Sequence, residues 1–166
     1  MARLRKRRMA TQRIELPAGV FTAYWSERGL FRLLLPGAAA LPETVPGGSV
    51  TPTWGEALAG SLDAYFSGRA VEFAAVPVDF EGYTPFQELV LKLAREIPYG
   101  RTATYGALAA EAGRPGAAQA VGQVLRRNRT PLVIPCHRVL ARGGTGGFSA
   151  GLPWKERLLR LEGVSY

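Results

Sequence analysis

Residues 132–139 read LVIPCHRV, and they contain Cys136 and His137, the only cysteine and the only histidine of the chain. The apolar run ahead of Pro135 is typical of a buried strand. Neighbouring side chains of a strand point to opposite faces, so His137 can assist Cys136 only where the chain bends. Proline favours a bend at this point. The stretch therefore predicts either a buried structural cysteine or a thiol nucleophile beside an imidazole.

A nucleophilic Cys136 needs a partner that removes its proton. An unperturbed cysteine has a pKa of about 8.5, and only the thiolate is a good nucleophile. His137 is a candidate base, acting directly or through a water molecule. A carboxylate such as Glu162 is a candidate to orient the imidazole.

The composition is that of a folded protein with an excess of positive charge. Of 166 residues, 47% are apolar and 20% are charged, which is enough for one core or two small ones. No apolar run is long enough to span a membrane, and no secretory signal is expected. The net charge of +8 favours a polyanionic partner such as nucleic acid. The alternative is a highly soluble protein with solvated basic faces.

One cysteine and one histidine limit the cross-links that the fold can use. An intramolecular disulfide is impossible, and a structural zinc site of the usual type is not expected. We therefore expect no metal and no cofactor. A lone free thiol fits a reducing compartment, so we expect a cytoplasmic protein.

The N-terminal half has the pattern of a small sheet with one helix. Residues 1–12 are basic and predict a mobile arm, and residues 13–81 predict an α/β domain. Strands are predicted at 20–25 and 30–35, joined by a hairpin turn at 26–29. A loop over 36–52, a helix over 54–66 and a short strand through Val76, Val78 and Phe80 follow. We place the domain boundary near residue 82.

Residues 82–166 have a helical pattern. Thr84 is predicted to cap a helix in which Pro85 comes first and Gln87 completes a capping box. The predicted apolar stripe of this helix is Phe86, Leu89, Val90, Leu93 and Ile97.

Two further helices, over residues 104–112 and 117–127, flank a glycine-containing turn, as in a helix-turn-helix. The last of the three helices separates an apolar face from a polar, basic one, which suits an approach to DNA. The alternative is the solvated face of a plain packing helix. A glycine-rich loop over 143–151 and a final helix over 153–162 complete the chain.

From about Thr84 to Gly163 the chain resembles the O6-alkylguanine-DNA alkyltransferases. The resemblance implies an α+β fold, with a small sheet-bearing, ribonuclease H-like N-terminal domain and a winged-helix-like helix-turn-helix C-terminal domain. Residues 13–80 match this family only in outline. The matching residues are Pro98-Tyr99-Gly100, Thr104-Tyr105, Ala120-Val121-Gly122, Asn128, Pro131, residues 134–139, Gly147-Phe148-Ser149, and Lys155-Glu156 through Leu159, Glu162 and Gly163.

The resemblance implies a role for each residue around the thiol. Cys136 takes the alkyl group irreversibly from O6 of guanine, and by the same resemblance from O4 of thymine. His137 activates the thiol through a water, and Glu162 holds His137. Asn128 braces the turn that carries the thiol. Tyr105 donates to the guanine or to the neighbouring phosphate and helps to rotate the nucleotide out of the duplex.

The same resemblance implies a DNA-binding face and a pocket for the alkylated base. Gln119 stands where the family usually has an arginine finger, and Phe148 stands where a tyrosine often lines the pocket. The zinc ligands of some relatives are absent. The implied DNA-binding residues are Tyr105, Ala118, Gln119, Ala120, Gly122, Gln123, Arg126 and Arg127, and the implied pocket residues are Pro131, Val139, Phe148, Ser149 and Lys155.

These patterns predict a single-turnover DNA-repair enzyme that acts as a monomer on double-stranded DNA, largely independently of sequence. No membrane partner is expected. One alternative is a binding-only relative that marks lesions, although such relatives lack the cysteine. The other is a helix-turn-helix transcription regulator whose cysteine is incidental or redox-sensing.

Overall fold

The computed structural model of the chain describes residues 8–41 and 45–166. It begins with a four-stranded sheet of order β3-β2-β1-β4. Its strands are β1 (Arg8–Leu16), β2 (Gly19–Ser26), β3 (Gly29–Leu34) and β4 (Val45–Pro46). β1, β2 and β3 pair antiparallel, whereas β4 pairs parallel with β1.

The predicted hairpin between β2 and β3 is confirmed, and Gly29 explains its shape. Gly29 has a φ of +142°, and a Cβ atom there would lie 2.6 Å from the carbonyl oxygen of Pro77. The next residue, Leu30, donates its N–H to that same oxygen at 2.8 Å. Glycine thus allows the segment after α1 to approach the sheet edge.

Over the described residues, five α-helices and a second, two-stranded sheet complete the fold, which confirms the predicted α+β class. The strands β5 (Ala103–Thr104) and β6 (Val139–Leu140) pair parallel. Of the described residues, no helix is long and apolar enough to cross a membrane. The helices are α1 (Pro52–Phe66), α2 (Pro85–Arg95), α3 (Tyr105–Glu111), α4 (Ala118–Arg126) and α5 (Leu152–Leu161).

Local sequence chemistry sets the helix starts in the C-terminal half as predicted. The Thr84 side chain accepts from the Gln87 N–H, and the Gln87 side chain accepts from the Thr84 N–H, which is a complete capping box. Thr104 caps α3 with a single bond, in which its side chain accepts from the Ala107 N–H at 3.1 Å. The turn from Ala112 to Ala117 then joins α3 to α4 as a helix-turn-helix.

Two clusters of buried side chains form the core, and the cysteine segment belongs to both. The first lies between the larger sheet and α1, and it includes Leu132 and Val133 from the C-terminal half. The second lies among α2, α3 and α4, and it includes Ile134 and Cys136. The segment before the thiol therefore crosses the seam between the clusters. The boundary near residue 82 stays a prediction.

The predicted basic arm is wrong for residues 8–12, because β1 already begins at Arg8. Met9 and Ala10 are buried there, and their backbone is paired with β4 and β2. Residues 1–7 lie outside the described residues. The predicted loop over 36–52 contains β4, and its residues 42–44 also lie outside the described part of the chain.

Two further predictions, for residues 76–80 and for the apolar stripe of α2, differ from the structure. Residues 76–80 form no strand, and only an isolated bridge joins Val78 to Leu30, since Pro77 has no N–H to donate. In α2 the predicted stripe is wrong at Leu89, which is 42% exposed, whereas Val90 and Ile97 are buried as predicted. Leu91 and Ala94, which the predicted stripe left out, are fully buried. Two overlapping apolar stripes fit this helix, and packing rather than periodicity selects between them.

Candidate active site

A 3-10 turn, Cys136–Arg138, supplies the bend that the sequence required. The turn begins at Pro135, and the Arg138 N–H closes it on the Pro135 carbonyl at 2.9 Å. Successive side chains of such a turn are about 120° apart, so Cys136 and His137 do not point to opposite faces. Just before it, Leu132 has a φ of +73°, the only positive φ among the described non-glycine residues. Backbone strain of this kind is typical of functional sites.

Asn128 holds the thiol in place. Its side-chain amide donates to Cys136 Sγ at 3.1 Å and to the Ile134 carbonyl at 2.9 Å. Its side-chain oxygen accepts from the Thr130 N–H at 3.0 Å. Because Asn128 directly follows α4 and its cap residue Arg127, it links the end of that helix to the thiol.

Burial raises the pKa of the Cys136 thiol to about 11. The hydrogen bond from Asn128, the charge of Lys155 and the Ser149 side chain oppose this shift without cancelling it. The cysteine is 4% exposed, so water stabilises a thiolate poorly. The free protein therefore holds a neutral thiol near neutral pH, and transfer needs a base.

His137 and Glu162 form a fully buried pair, with Nε2 and Oε1 2.7 Å apart. Burial raises the pKa of Glu162, but hydrogen bonds from His137, Arg138 and the Gly100 N–H outweigh it and hold the pKa at about 2. An ionised carboxylate only accepts, so His137 Nε2 carries the proton. Burial lowers the pKa of His137, which keeps the imidazole neutral.

The other ring nitrogen of His137 is therefore the basic one. His137 Nδ1 is buried and has no hydrogen-bond partner among the described residues. Within the same part of the chain, no hydrogen bond joins the His137 ring to Cys136 Sγ. An unprotonated nitrogen next to the thiol residue is what a general base requires.

Three partners of Glu162 were missed by the sequence reasoning. Arg138 is 1% exposed. It donates to Glu162 Oε2 at 3.0 Å and to the Ile97 carbonyl at 2.6 Å. The Tyr65 hydroxyl donates to Glu162 Oε1 at 2.7 Å, and the Gly100 N–H donates to Oε2 at 3.0 Å. A signal existed for Arg138, because an arginine inside an apolar run needs a carboxylate partner. No sequence signal indicated Tyr65, because its spacing is that of an apolar helix stripe.

The helix α4 presents the polar face that the sequence predicts. Val121, Val124 and Leu125 are buried, whereas Gln119, Ala120, Gln123, Arg126 and Arg127 are exposed. A groove of about 630 Å³ runs between α3, α4 and residues 141–147. Its lining includes Tyr105, Ala118, Gln119, Gly122, Gln123 and Arg126.

A small cavity of about 10 Å³ lies between this groove and the thiol. Tyr105, Phe148 and Cys136 line it, together with Gly122, Leu125, Arg126 and Gly147. The Tyr105 hydroxyl lies 3.4 Å from the Gly147 carbonyl. A Cβ atom on Gly146 would lie 2.6 Å from that hydroxyl, so glycine lets the loop close over Tyr105. The thiol thus faces the groove side of the helix-turn-helix through a nearly closed opening.

The structure does not place all the predicted pocket residues on this cavity. Pro131 and Ser149 line a separate cavity of about 420 Å³, formed with Asn128 and residues 32–38. Val139 is fully buried in the second core cluster. Lys155 is fully buried and donates to the Val139 carbonyl at 2.7 Å and the Gly147 carbonyl at 2.9 Å, so it braces the loop. Burial lowers the pKa of Lys155 to about 8.

Comparison with known proteins decides the family. A family model described as 6-O-methylguanine DNA methyltransferase, DNA binding domain, matches residues 85–164. A methylated-DNA–protein-cysteine methyltransferase of Methanopyrus kandleri is 45% identical over 128 residues, which are 75% of this chain and 95% of that relative. The chain belongs to the methylated-DNA–protein-cysteine methyltransferase family. The resemblance stated from the sequence is confirmed.

Other members of this methyltransferase family extend the comparison. A relative from Mycobacterium leprae is 47% identical over 102 residues, which are 61% of each chain. The crystal structure of Mycobacterium tuberculosis OGT in complex with DNA matches with a TM-score of 0.78 and 33% identity, over 93% of each chain. Among residues 8–41 and 45–166, no three His, Cys, Asp or Glu side chains are grouped to hold a metal ion. The roles assigned to individual site residues stay predictions.

Proposed function

We propose that this protein repairs DNA by moving an alkyl group from O6 of guanine, or O4 of thymine, to Cys136, one lesion per molecule. The observation that carries the proposal is a buried thiol beside a neutral imidazole and its carboxylate, at the foot of a helix-turn-helix groove. The relatives named as methylated-DNA–protein-cysteine methyltransferases support the same chemistry. A binding-only lesion recogniser would not need Cys136, and no feature favours a regulator.

The transfer is a displacement at the first carbon of the alkyl group. The Cys136 proton passes to His137 Nδ1 through a water, and the sulfur attacks the carbon. The S–C bond forms as the C–O6 bond breaks, and the electron pair leaves on the guanine, which then takes up a proton. The resulting thioether is a very poor leaving group, so the protein is not regenerated.

The substrate base has to leave the duplex to reach the thiol. The alkylated oxygen of guanine lies inside the DNA stack, and enzymes with such targets rotate the nucleotide outwards. The cavity of about 10 Å³ does not hold a purine, so it must widen between Tyr105 and Phe148 as the base enters. The glycine-rich loop over 143–151 borders it and supplies the freedom for this opening.

The test is the mass of the protein after mixing with duplex DNA that contains O6-methylguanine. We expect a gain equal to one CH2, located on the peptide that contains Cys136. DNA binding without a mass gain would instead identify a lesion recogniser. Dimeric binding to one palindrome without a mass gain would identify a regulator.

The exposed arginines of α4 are expected to bind phosphates rather than read bases. Changing Arg126 to Glu should weaken binding about ten-fold or more for any duplex, because it removes one phosphate contact and adds repulsion. Affinity should also fall steeply with salt. The matched control is Arg160→Glu, an exposed arginine on α5. Fluorescence anisotropy at several salt concentrations checks this, and a flat salt response or a strong consensus site would contradict it.

Gln119 is expected to support base rotation less well than arginine. An inserted guanidinium stacks in the duplex and adds charge near phosphates, which a shorter neutral amide does not. A contact of this kind contributes about 1 kcal/mol, so Gln119→Arg should speed repair of duplex DNA about five-fold. The rate with free O6-benzylguanine should stay unchanged, since a free base needs no rotation.

The control for Gln119→Arg is Gln123→Arg, which adds the same charge one turn further along the exposed face of α4. Second-order rates on both substrates decide the outcome. An unchanged duplex rate, or equal gains on both substrates, would show that Gln119 is not at the rotation position.

We further propose that the protein acts as a monomer in the cytoplasm.

A further inference from the structure

The carboxylate of Glu162 collects hydrogen bonds from several parts of the chain. Oε1 accepts from His137 Nε2 at 2.7 Å, and also from the Tyr65 hydroxyl at 2.7 Å. Arg138 donates to both oxygens, to Oε1 at 3.1 Å and to Oε2 at 3.0 Å, and the Gly100 N–H donates to Oε2 at 3.0 Å. Tyr65 lies on α1, 97 residues before Glu162 in sequence, and it alone among these donors comes from the N-terminal sheet-and-helix half.

Tyr65 is held so that its hydroxyl meets this carboxylate. Its side chain is fully buried, and its ring packs edge-on against Phe66 and Tyr99 at 5.2 and 5.8 Å. Burial and the neighbouring carboxylate raise the pKa of Tyr65 far above its usual range, so the phenol stays protonated and donates. The phenol, the imidazole and the Arg138 guanidinium therefore share the negative charge of one oxygen.

We propose that Tyr65 is a positioning residue for alkyl transfer: its hydroxyl fixes Oε1 of Glu162 and thereby sets the orientation and basicity of His137. This inference rests on the proposed function, in which His137 is the base for Cys136. Tyr65 acts only through Glu162. Through this hydroxyl the N-terminal half contributes to the reaction.

The direction of the effect follows from the shared oxygen. A donor on Oε1 draws charge away from the imidazole, so protonation of His137 is less favourable and the base remains available. Removing that donor should raise the pKa of His137 and move the loss of active base to higher pH. The titratable and charged groups around this pair are Tyr65 from α1, Tyr99 before β5, Cys136 and Arg138 from the turn, Lys155 and Glu162 from the α5 region, and Glu72 beyond Arg138.

The variant that tests the proposal is Tyr65→Phe, which removes the hydroxyl and keeps the ring contacts. The control is Tyr24→Phe, a buried tyrosine of β2 whose hydroxyl accepts from the Leu41 N–H at 3.4 Å. Because the chain has one histidine, its imidazole signals can be followed by NMR without ambiguity. Single-turnover rates at saturating methylated duplex and the DNA Kd complete the measurements.

For Tyr65→Phe we expect the imidazole titration to move up by about half to one pH unit. The acid limb of the transfer rate should move by the same amount, so the variant is about three-fold to ten-fold slower on that limb. The rates should converge at high pH. The DNA Kd should not change, and Tyr24→Phe should behave as the unmodified protein in every measurement.

An unchanged imidazole titration in Tyr65→Phe would overturn the proposal, as would a loss of rate that is uniform over pH. If the unmodified protein gains no alkyl group, the proposed function fails, whereas the titration still decides whether Tyr65 tunes His137.

If Tyr65→Phe does not fold, 3-fluorotyrosine at position 65 replaces it. Its more acidic hydroxyl donates a stronger bond, so the titration should move to lower pH, and no movement would overturn the proposal.

Discussion

Cys136→Ala is expected to abolish alkyl transfer and to leave DNA binding intact. The thiol is the only group in the chain from which a stable thioether can form, because there is one cysteine. It is 4% exposed and lies beneath the α4 groove rather than on it, so its removal leaves the DNA-facing side chains in place. Transfer is measured by the mass of the protein, and binding is measured by anisotropy on the same methylated duplex.

Cys136→Ser is the matched variant, since it keeps a polar atom near the Asn128 amide. We expect it to be inactive as well, because a hydroxyl is far harder to ionise than a thiol. The unmodified protein should consume one equivalent of lesion and then stop. Turnover beyond one equivalent, or any alkylation of Cys136→Ala, would exclude Cys136 as the acceptor.

Arg138→Met is expected to lower the free energy of unfolding by about 3–5 kcal/mol, which is typical when one partner of a buried ion pair is removed. Arg138 is 1% exposed and donates to both oxygens of Glu162. The variant leaves the buried carboxylate with uncharged donors from His137, Tyr65 and the Gly100 N–H. Arg160→Met on the exposed side of α5 is the control, and it should change stability by no more than about 0.5 kcal/mol.

The pH dependence of unfolding gives this prediction a second measurement. Glu162 has a pKa of about 2 in the folded protein, below its ordinary value of 4.5. Its contribution to stability is therefore complete above pH 4.5 and is lost as the pH falls towards 2. In Arg138→Met the folded pKa rises, so the acid loss should shrink. Urea unfolding at several pH values checks this, and equal acid sensitivity of both proteins would contradict it.

Local chemistry was enough to predict the helix starts, the β2–β3 hairpin and the turn at Cys136. Thr84, Pro85 and Gln87 form their capping box within a few residues, so nothing distant changes the result. The α2 stripe could not be fully predicted in this way, because tertiary packing buries Leu91 and Ala94 and leaves Leu89 exposed. Residues 8–12 were predicted to be part of a mobile arm because the segment is basic, although pairing with β4 and β2 places them in β1.

In the candidate site, too, the local contacts could be predicted from the sequence and the long-range contacts could not. Cys136, His137 and Asn128 lie within nine residues of one another, and their arrangement follows from a short motif. Tyr65 and Gly100 reach Glu162 from 97 and 62 residues away, and no periodicity or spacing indicates such contacts. Pro131 lines a different cavity and Lys155 braces the glycine-rich loop at Gly147, and sequence spacing indicates neither placement.

The segment that crosses the seam between the two core clusters has a consequence for local opening. Leu132 and Val133 belong to one cluster, and Ile134 and Cys136 belong to the other. Such a segment cannot unfold by itself, because releasing it disrupts the packing of both clusters at once. We therefore expect the thiol and its base to open only at a cost close to that of global unfolding. Loops and lids at active sites are low-stability elements, whereas here the reacting group belongs to a segment that both core clusters share.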